Sequence, residues 1–300
     1  MSVVGVLPVI PTPFRDGRVD GAGLRALIER MLPSVDGYTL AGSTGESPSL
    51  TLEERLAVIE LALSFTPADK AVVVGINHTC QADAIRLARH AQEHGARAVL
   101  CPAPYYYPTS ADGALRYLEG IDRVLECELV LYDNPVTTKL ALGAQTVIDW
   151  ADRLGHLGSV KLTDHDLSKV AAWQGAGLSV LAGDDVILFR YLAEGVDGVM
   201  VIAPVIFPEA FAETWRLVRA GDLGGAQEVF ANEVEPLLHV FGVGDEIATT
   251  KAVLADLGVI GSDELRPPLL HASPLRRALL RRAYALCAAR SLERAARVSP

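Results

Sequence analysis

Short apolar runs recur along the chain, separated by longer stretches whose apolar positions fall three or four apart. The runs are "VVGVLPVI" (3–10), "YTLAG" (38–42), "AVVVGI" (71–76), "ARAVLCP" (96–102), "ELVLYD" (128–133), "GSVKLTD" (158–164), "LSVLAGD" (178–184) and "DGVMVIA" (197–203). Their Val, Leu and Ile content is nearly continuous, which predicts strands buried on both faces. The stretches between them predict amphipathic helices, and some carry start and stop signals. "TLEER" (51–55) reads as a capping box pairing Thr51 with Glu54, and Gly95 after "QEH" as a left-handed terminator.

Eight strands alternating with eight helices, at intervals of roughly 20–35 residues, predict an α/β fold of the (β/α)8 TIM-barrel type. A doubly wound open sheet would place a Gly-rich phosphate turn after the first strand, and "PVIPTPF" is not one. The eighth helix is expected at about 207–220. Beyond it the strand signal stops, and "LGGAQEVFANEVEPLLHVF", "DEIATTKAVLADLG" and "SPLRRALLRRAYALCAARSLERAARV" predict a C-terminal helical extension. The expected division is a barrel over 1–221 and a helical region over 222–300.

Composition narrows the function classes. The 300 residues are 50% hydrophobic and 21% charged, an ordinary globular balance. A net charge of −10 argues against a nucleic-acid partner, since phosphate neutralisation needs clustered Lys and Arg. Arginines do gather from Arg276 to Arg297, but at helical spacings that suit a solvated face. Cys80, Cys101, Cys127 and Cys287 are too widely spaced for a zinc or disulfide framework and are expected as reduced thiols. The first residues lack a basic segment and meet Pro8 early, and no apolar run reaches the roughly 18 residues of a membrane helix. The expectation is a cytoplasmic protein without membrane contact.

Lysine is scarce: Lys70, Lys139, Lys161, Lys169 and Lys251 stand against 22 arginines. Lys161 lies inside an apolar strand between Val160 and Leu162. If those neighbours face the helices, Lys161 points into the barrel near the C-terminal end of strand six, where barrel enzymes keep their chemistry. An inward ammonium loses its water, which favours the neutral amine, a nucleophile toward carbonyls. A lysine tied to a buried carboxylate is the alternative. The other strand ends supply partners. "GSTGES" after strand two combines glycines with the hydroxyls of Ser43 and Thr44, a loop whose amides can approach a small anion. "CPAPYYYPT" after strand four carries three tyrosines, and strand five ends in Tyr132, a phenol able to pass protons.

With these residues in place the chain resembles the dihydrodipicolinate synthase/N-acetylneuraminate lyase family of class I aldolases. The likeness runs from "TPF" (12–14) through "GSTGE", "PYY" (104–106), "YDNP" with Tyr132, "VKL" with Lys161 and "GDD" (183–185) to "KAVLADLG" and "LRPPL". The resemblance implies that Lys161 forms a Schiff base with pyruvate or a related 2-oxo acid and that Tyr132 moves protons beside it. Thr44 relays protons to solvent, and Tyr106 completes the relay from a neighbouring subunit, so a homo-oligomer, dimer or tetramer, is implied. Ser43, Thr44 and Gly45 hold the substrate carboxylate; Asn134, Thr137 and Met200 complete the substrate-binding set. No cofactor and no metal is implied, since the imine is the electron sink.

The chain departs from the synthase pattern at two positions. Where the synthases carry an arginine that grips the second substrate's carboxylate, this chain has Thr137, and a hydroxyl does not replace a bidentate guanidinium. Lys139 lies two residues on. The acid that often follows the Schiff-base lysine is Leu162 here. Aldol cleavage of another 2-oxo acid is therefore the expected reaction. Dehydration of a sugar acid, a hydratase-aldolase, the synthase reaction itself and a non-catalytic regulatory role stand as alternatives.

Two motifs are assigned other roles. "HAQEH" (90–94) matches the H-x-x-E-H metal pattern but falls on the third helix, away from the strand ends, where histidines meet a helix C-terminus. Asp184 and Asp185 are expected to cap the following helix rather than to hold a cation.

Overall fold

The computed structural model describes residues 3–241 and 245–298. By its contacts the chain divides into two compact units, Met1–Ile10 with Asp36–Val201 and Pro11–Val35 with Ile202–Pro300. The first unit holds the whole parallel sheet. Its strands are β1 (Gly5–Val6), β2 (Gly37–Leu40), β3 (Ala71–Gly75), β4 (Ala98–Pro102), β5 (Glu128–Asp133), β6 (Leu157–Leu162), β7 (Ser179–Ala182) and β8 (Gly198–Val199). All eight fall within the apolar runs or start a residue before them. They pair in chain order from β2 to β8, and β1 pairs with β8 in the register Gly5–Gly198. A parallel bridge between Val9 and Thr39 joins β1 to β2, which makes the sheet a nearly closed (β/α)8 barrel. Pro8 has no N–H to give toward β2, where its carbonyl accepts from the Thr39 amide at 2.7 Å; toward β8, Leu7 and Val9 donate to Val199 and Val201 at 2.8 and 2.9 Å.

Alternation along the strands decides what fills the barrel. Leu7, Val9, Val73, Ala98, Leu100, Val130, Leu181 and Met200 pack into one buried cluster, with Tyr132 against it. Helices Leu52–Phe65, Gln81–Glu93, Ala111–Asp122, Ala144–Ala151, Ser168–Gly175 and Leu188–Ala193 follow successive strands from β2 to β7. Local signals fix their ends. The Thr51–Glu54 capping box is formed in both directions, at 2.9 and 3.1 Å. Gly95 sits at φ +94° beyond the second of these helices, a conformation that costs other residues free energy.

Among its described residues the second unit is helical apart from an antiparallel hairpin, Phe14–Arg15 with Arg18–Val19, that the apolar pattern does not predict. Asp16 and Gly17 make its turn with φ of 54° and 75°, the primed-turn geometry that Asp-Gly favours. Its main helices are Gly21–Met31, Pro208–Arg219, Leu223–Glu233, Glu246–Asp256 and Pro274–Val298, the last four lying where the sequence predicts them. Lys251 is fully buried here, with Nζ donating to the Glu264 carbonyl at 2.8 Å and lying 4.2 Å from the centre of the Phe14 ring. Asp256 is chelated by Arg277 and Arg281 of the last helix. All four cysteines are free thiols. Among the described residues no helix is long and apolar enough to cross a membrane.

Candidate active site

Lys161 and Tyr132 are register partners on β6 and β5, and Lys161 is also paired with Leu181 on β7. Tyr132 and Leu181 both belong to the barrel interior. Side chains of register partners share a face, so Lys161 points inward too, as its alternation predicts. It is buried at 5% exposure, and its Nζ lies 4.3 Å from the centre of the Tyr132 ring. Gly183, just after β7, makes room for it. A Cβ there would lie 3.0 Å from Lys161 Cε and 2.7 Å from the Leu162 carbonyl oxygen.

The "GSTGES" loop follows β2 and is held from below. Ala41 just before it and Glu46 within it lie in the left-handed region, at φ 54° and 53°, where non-glycine residues are strained. Gly75 lets the loop descend onto β3, since a Cβ there would stand 2.4 Å from the Ala41 carbonyl oxygen. Beneath it Ser47 and Asn77 exchange side-chain hydrogen bonds. Arg55 is buried at 2% exposure and donates to the Asn77 and Gly75 carbonyls, each at 2.9 Å. Burial pulls its guanidinium down to about 10, against the opposing effect of Tyr105, Tyr117, Cys101 and Asp83. The result is a platform braced from below, with Gly45 buried, Thr44 half-buried and Ser43 exposed.

A second buried lysine braces the same strands from outside. Asp133 follows Tyr132 and therefore faces the helix layer. Lys169 Nζ donates to Asp133 Oδ2 at 2.8 Å and to Asp164, and lies 5.4 Å from the centre of the Trp173 ring. Thr163 donates to the Asp133 carbonyl through both its amide and its hydroxyl, and the Tyr191 hydroxyl donates to the Asp164 carbonyl. Asp133 Oδ1 is buried without a hydrogen-bond partner. Burial pushes the Asp133 carboxyl up from the ordinary range, with Lys169 opposing. Burial alone would lower the Lys169 ammonium, but its hydrogen bonds and charge interactions with Asp133 and Asp164 outweigh that and hold it higher. The pair thus fixes the carboxyl ends of β5 and β6 while their inner faces present Tyr132 and Lys161. Neither Arg55 nor this brace was read from the sequence as part of the site.

The remaining expected residues are spread around the same end of the barrel. Met200 is fully buried in the interior cluster, where it forms floor. Asn134 caps the short helix Pro135–Thr138, its Oδ1 accepting from the Thr137 amide at 3.2 Å, and Thr137 is exposed. Lys139 ends that helix at φ 57°, with Nζ 3.5 Å from the Tyr105 carbonyl oxygen. Tyr106 and Tyr107 are 71% and 76% exposed and meet edge to face at 5.0 Å. One expectation is corrected: Asp184 does not cap the next helix. Its Oδ1 takes the Val186 amide at 2.7 Å in a local turn and its Oδ2 faces His165 Nε2 at 3.2 Å, while Ile187 holds the cap position without a side-chain bond. A carboxylate two residues from an amide closes its own turn before it reaches a helix end.

A parallel barrel with its chemistry-bearing side chains gathered at the carboxyl ends of the strands has the anatomy of a barrel enzyme. The chain belongs to the Dihydrodipicolinate synthetase family, whose family model matches residues 2–284, and it is a lyase of that family. It is 32% identical over 280 residues to a 4-hydroxy-tetrahydrodipicolinate synthase of Syntrophobacter fumaroxidans, covering 92% of this chain and 96% of that one. The solved 4-hydroxy-tetrahydrodipicolinate synthase of Methylacidiphilum fumariolicum SolV superposes with a TM-score of 0.91 at 25% identity, covering 97% and 98% of the two chains. YagE, a prophage protein of the family from E. coli K12 solved in complex with pyruvate, gives 0.87 at 26% identity, covering 95% and 99%.

Proposed function

We propose that this protein is a Schiff-base lyase acting on pyruvate or another 2-oxo acid, with Lys161 as the nucleophile. The observation that carries the reading is the inward Lys161 amine set 4.3 Å from the Tyr132 ring at the mouth of the barrel. The amine adds to the C2 carbonyl, and loss of water from the carbinolamine leaves an imine. Loss of a C3 proton from the imine gives an enamine, which attacks an aldehyde; the reverse sequence cleaves the aldol. In this reading Tyr132 moves the protons of these steps, with Thr44 and Tyr106 as its relay. Tyr106 is exposed on a single chain, which suits a residue that serves a neighbouring copy. The platform of Ser43, Thr44 and Gly45 holds the 2-oxo acid carboxylate. The reaction needs no cofactor, because the imine nitrogen takes up the electron pair released at C3.

The second substrate is a neutral, hydroxylated carbonyl compound rather than one bearing a carboxylate. Thr137 offers a hydroxyl where a guanidinium would bind an anion. Lys139, two residues on, directs its ammonium to the Tyr105 carbonyl oxygen, 3.5 Å away.

Borohydride reduction in the presence of pyruvate, followed by intact mass and peptide mapping, tests the first claim. The expected product is one pyruvyl adduct at Lys161, lost in K161A; no adduct with any 2-oxo acid tried would overturn it. A panel of hydroxylated 2-oxo acids, followed by pyruvate release, tests the second. Faster turnover with an aldehyde bearing a carboxylate, or loss of water without C–C cleavage, would overturn the substrate choice while leaving the imine intact.

A further inference from the structure

The "HAQEH" motif has no part in the barrel mouth, yet the fold completes it differently from its sequence spacing. His90 lies on helix Gln81–Glu93, and His94 is that helix's C-terminal cap. Glu60 comes from the neighbouring helix Leu52–Phe65. One ligand atom from each of Glu60, His90 and His94 lies within 4.8 Å of the other two. We propose that these three side chains form a peripheral site for one divalent transition-metal ion of the zinc class, clamping the two helices together.

The tautomers support it. His90 Nε2 lies 3.0 Å from the Leu56 carbonyl oxygen, and His94 Nδ1 lies 2.8 Å from the His90 carbonyl oxygen. A carbonyl only accepts, so each of those nitrogens carries its hydrogen. In the neutral rings, His90 Nδ1 and His94 Nε2 are then left with free lone pairs. A ring nitrogen presented to a metal while its partner donates to a backbone carbonyl is the arrangement that ligating histidines adopt. The two rings lie 4.2 Å apart between centroids. Glu60 and His94 are exposed, so small rotations can bring all three ligands to the roughly 2.0–2.2 Å that zinc requires. Two imidazoles and one carboxylate, with a fourth position left to water, suit zinc rather than a hard oxygen-seeking cation.

A second cluster, His78 with Cys80 and Asp83, has similar spacing but the opposite hydrogen bonding. There His78 Nδ1 accepts the Cys80 amide at 3.0 Å, so that lone pair is already used. The Glu60 site also has a mechanical link. It clamps the helix that carries Arg55, whose guanidinium holds the Gly75 and Asn77 carbonyls beneath the "GSTGES" loop.

Titration of untagged, metal-stripped full-length protein with zinc chloride by calorimetry tests the site. Binding of one ion per chain is expected, weakened at least ~10-fold in H94Q and in E60Q and unchanged in C80S. Zinc should raise the thermal midpoint of the wild type and not that of H94Q. Cobalt-loaded protein should show ligand-field bands without thiolate charge transfer. Equal zinc affinity in wild type and H94Q, a thiolate band, loss of binding in C80S, or no saturable binding would each overturn the proposal. Circular dichroism of H94Q, altered only at an exposed side chain, checks that its fold is kept.

Discussion

Replacing Lys169 by methionine removes the ammonium that faces Asp133 in the buried brace behind the candidate site. Asp133 is 1% exposed and Lys169 4%, so water cannot take the ammonium's place. One Asp133 oxygen already has no hydrogen-bond partner, and the substitution leaves the other without its donor as well. Breaking a buried ion pair from one side costs about 3–5 kcal/mol, mostly the penalty of the charge left behind. K169M should therefore lose about that much in urea denaturation at pH 7. D133N/K169M, which removes both charges, should recover about half of it. The pH dependence has a definite sign. Burial already raises the Asp133 carboxyl, and loss of Lys169 raises it further. The folded state then binds a proton more readily than the unfolded chain. The penalty grows as pH rises from the unfolded carboxyl value near ~4 through the raised folded value, and it shrinks on acidification. Repeating the denaturation at pH 5 should bring K169M and wild type closer together. A loss under about 1 kcal/mol at pH 7, or a double variant no more stable than K169M, would refute this account of the brace.

Y132F should keep pyruvate trapping at Lys161 but lower kcat by about 10²–10⁴, as expected for removal of a general acid–base group, measured by steady-state turnover with a hydroxylated 2-oxo acid. G183A would place a methyl group 3.0 Å from Lys161 Cε and 2.6 Å from Thr163 Cγ2, so borohydride trapping should slow while circular dichroism stays native. Unchanged trapping would show that Lys161 does not depend on that space. In the helical unit, Arg281 and Arg277 hold the Asp256 carboxyl well below its usual range. Its contribution is present above an unfolded value near ~4 and is lost as pH falls toward the depressed folded value. D256N should accordingly be less stable than wild type at pH 7, with the difference narrowing below about pH 4 in thermal melts.

The sequence announces whatever its own local pattern determines. Parallel strands buried on both faces leave uninterrupted apolar runs, so all eight are visible, and alternation within one of them turns Lys161 inward. The Thr51–Glu54 box and the Gly95 terminator are local too, and both form. What was missed depends on partners distant in sequence. Asp133 reads as one more residue of a "YDNP" motif until Lys169, 36 positions later, is found against it. Arg55 reads as an amphipathic helix charge until its guanidinium is seen on the Gly75 and Asn77 carbonyls. The Asp16-Gly17 hairpin was legible in principle, but two-residue strands are too short for any period to register. At Asp184 a local rule was applied one step too far, because the side chain closes its own turn first.

Three of the five lysines, Lys161, Lys169 and Lys251, are buried, each for a different structural reason. Among lysine side chains, the exterior therefore offers acylating reagents and amine cross-linkers chiefly Lys70 and Lys139. The remaining positive charge is guanidinium, which does not condense with simple carbonyls into stable imines at neutral pH. Coupling the protein to a solid support through its side-chain amines would use Lys70 or Lys139, and every molecule tethered by Lys139, beside the barrel mouth, would have the opening obstructed that the attachment was meant to leave free.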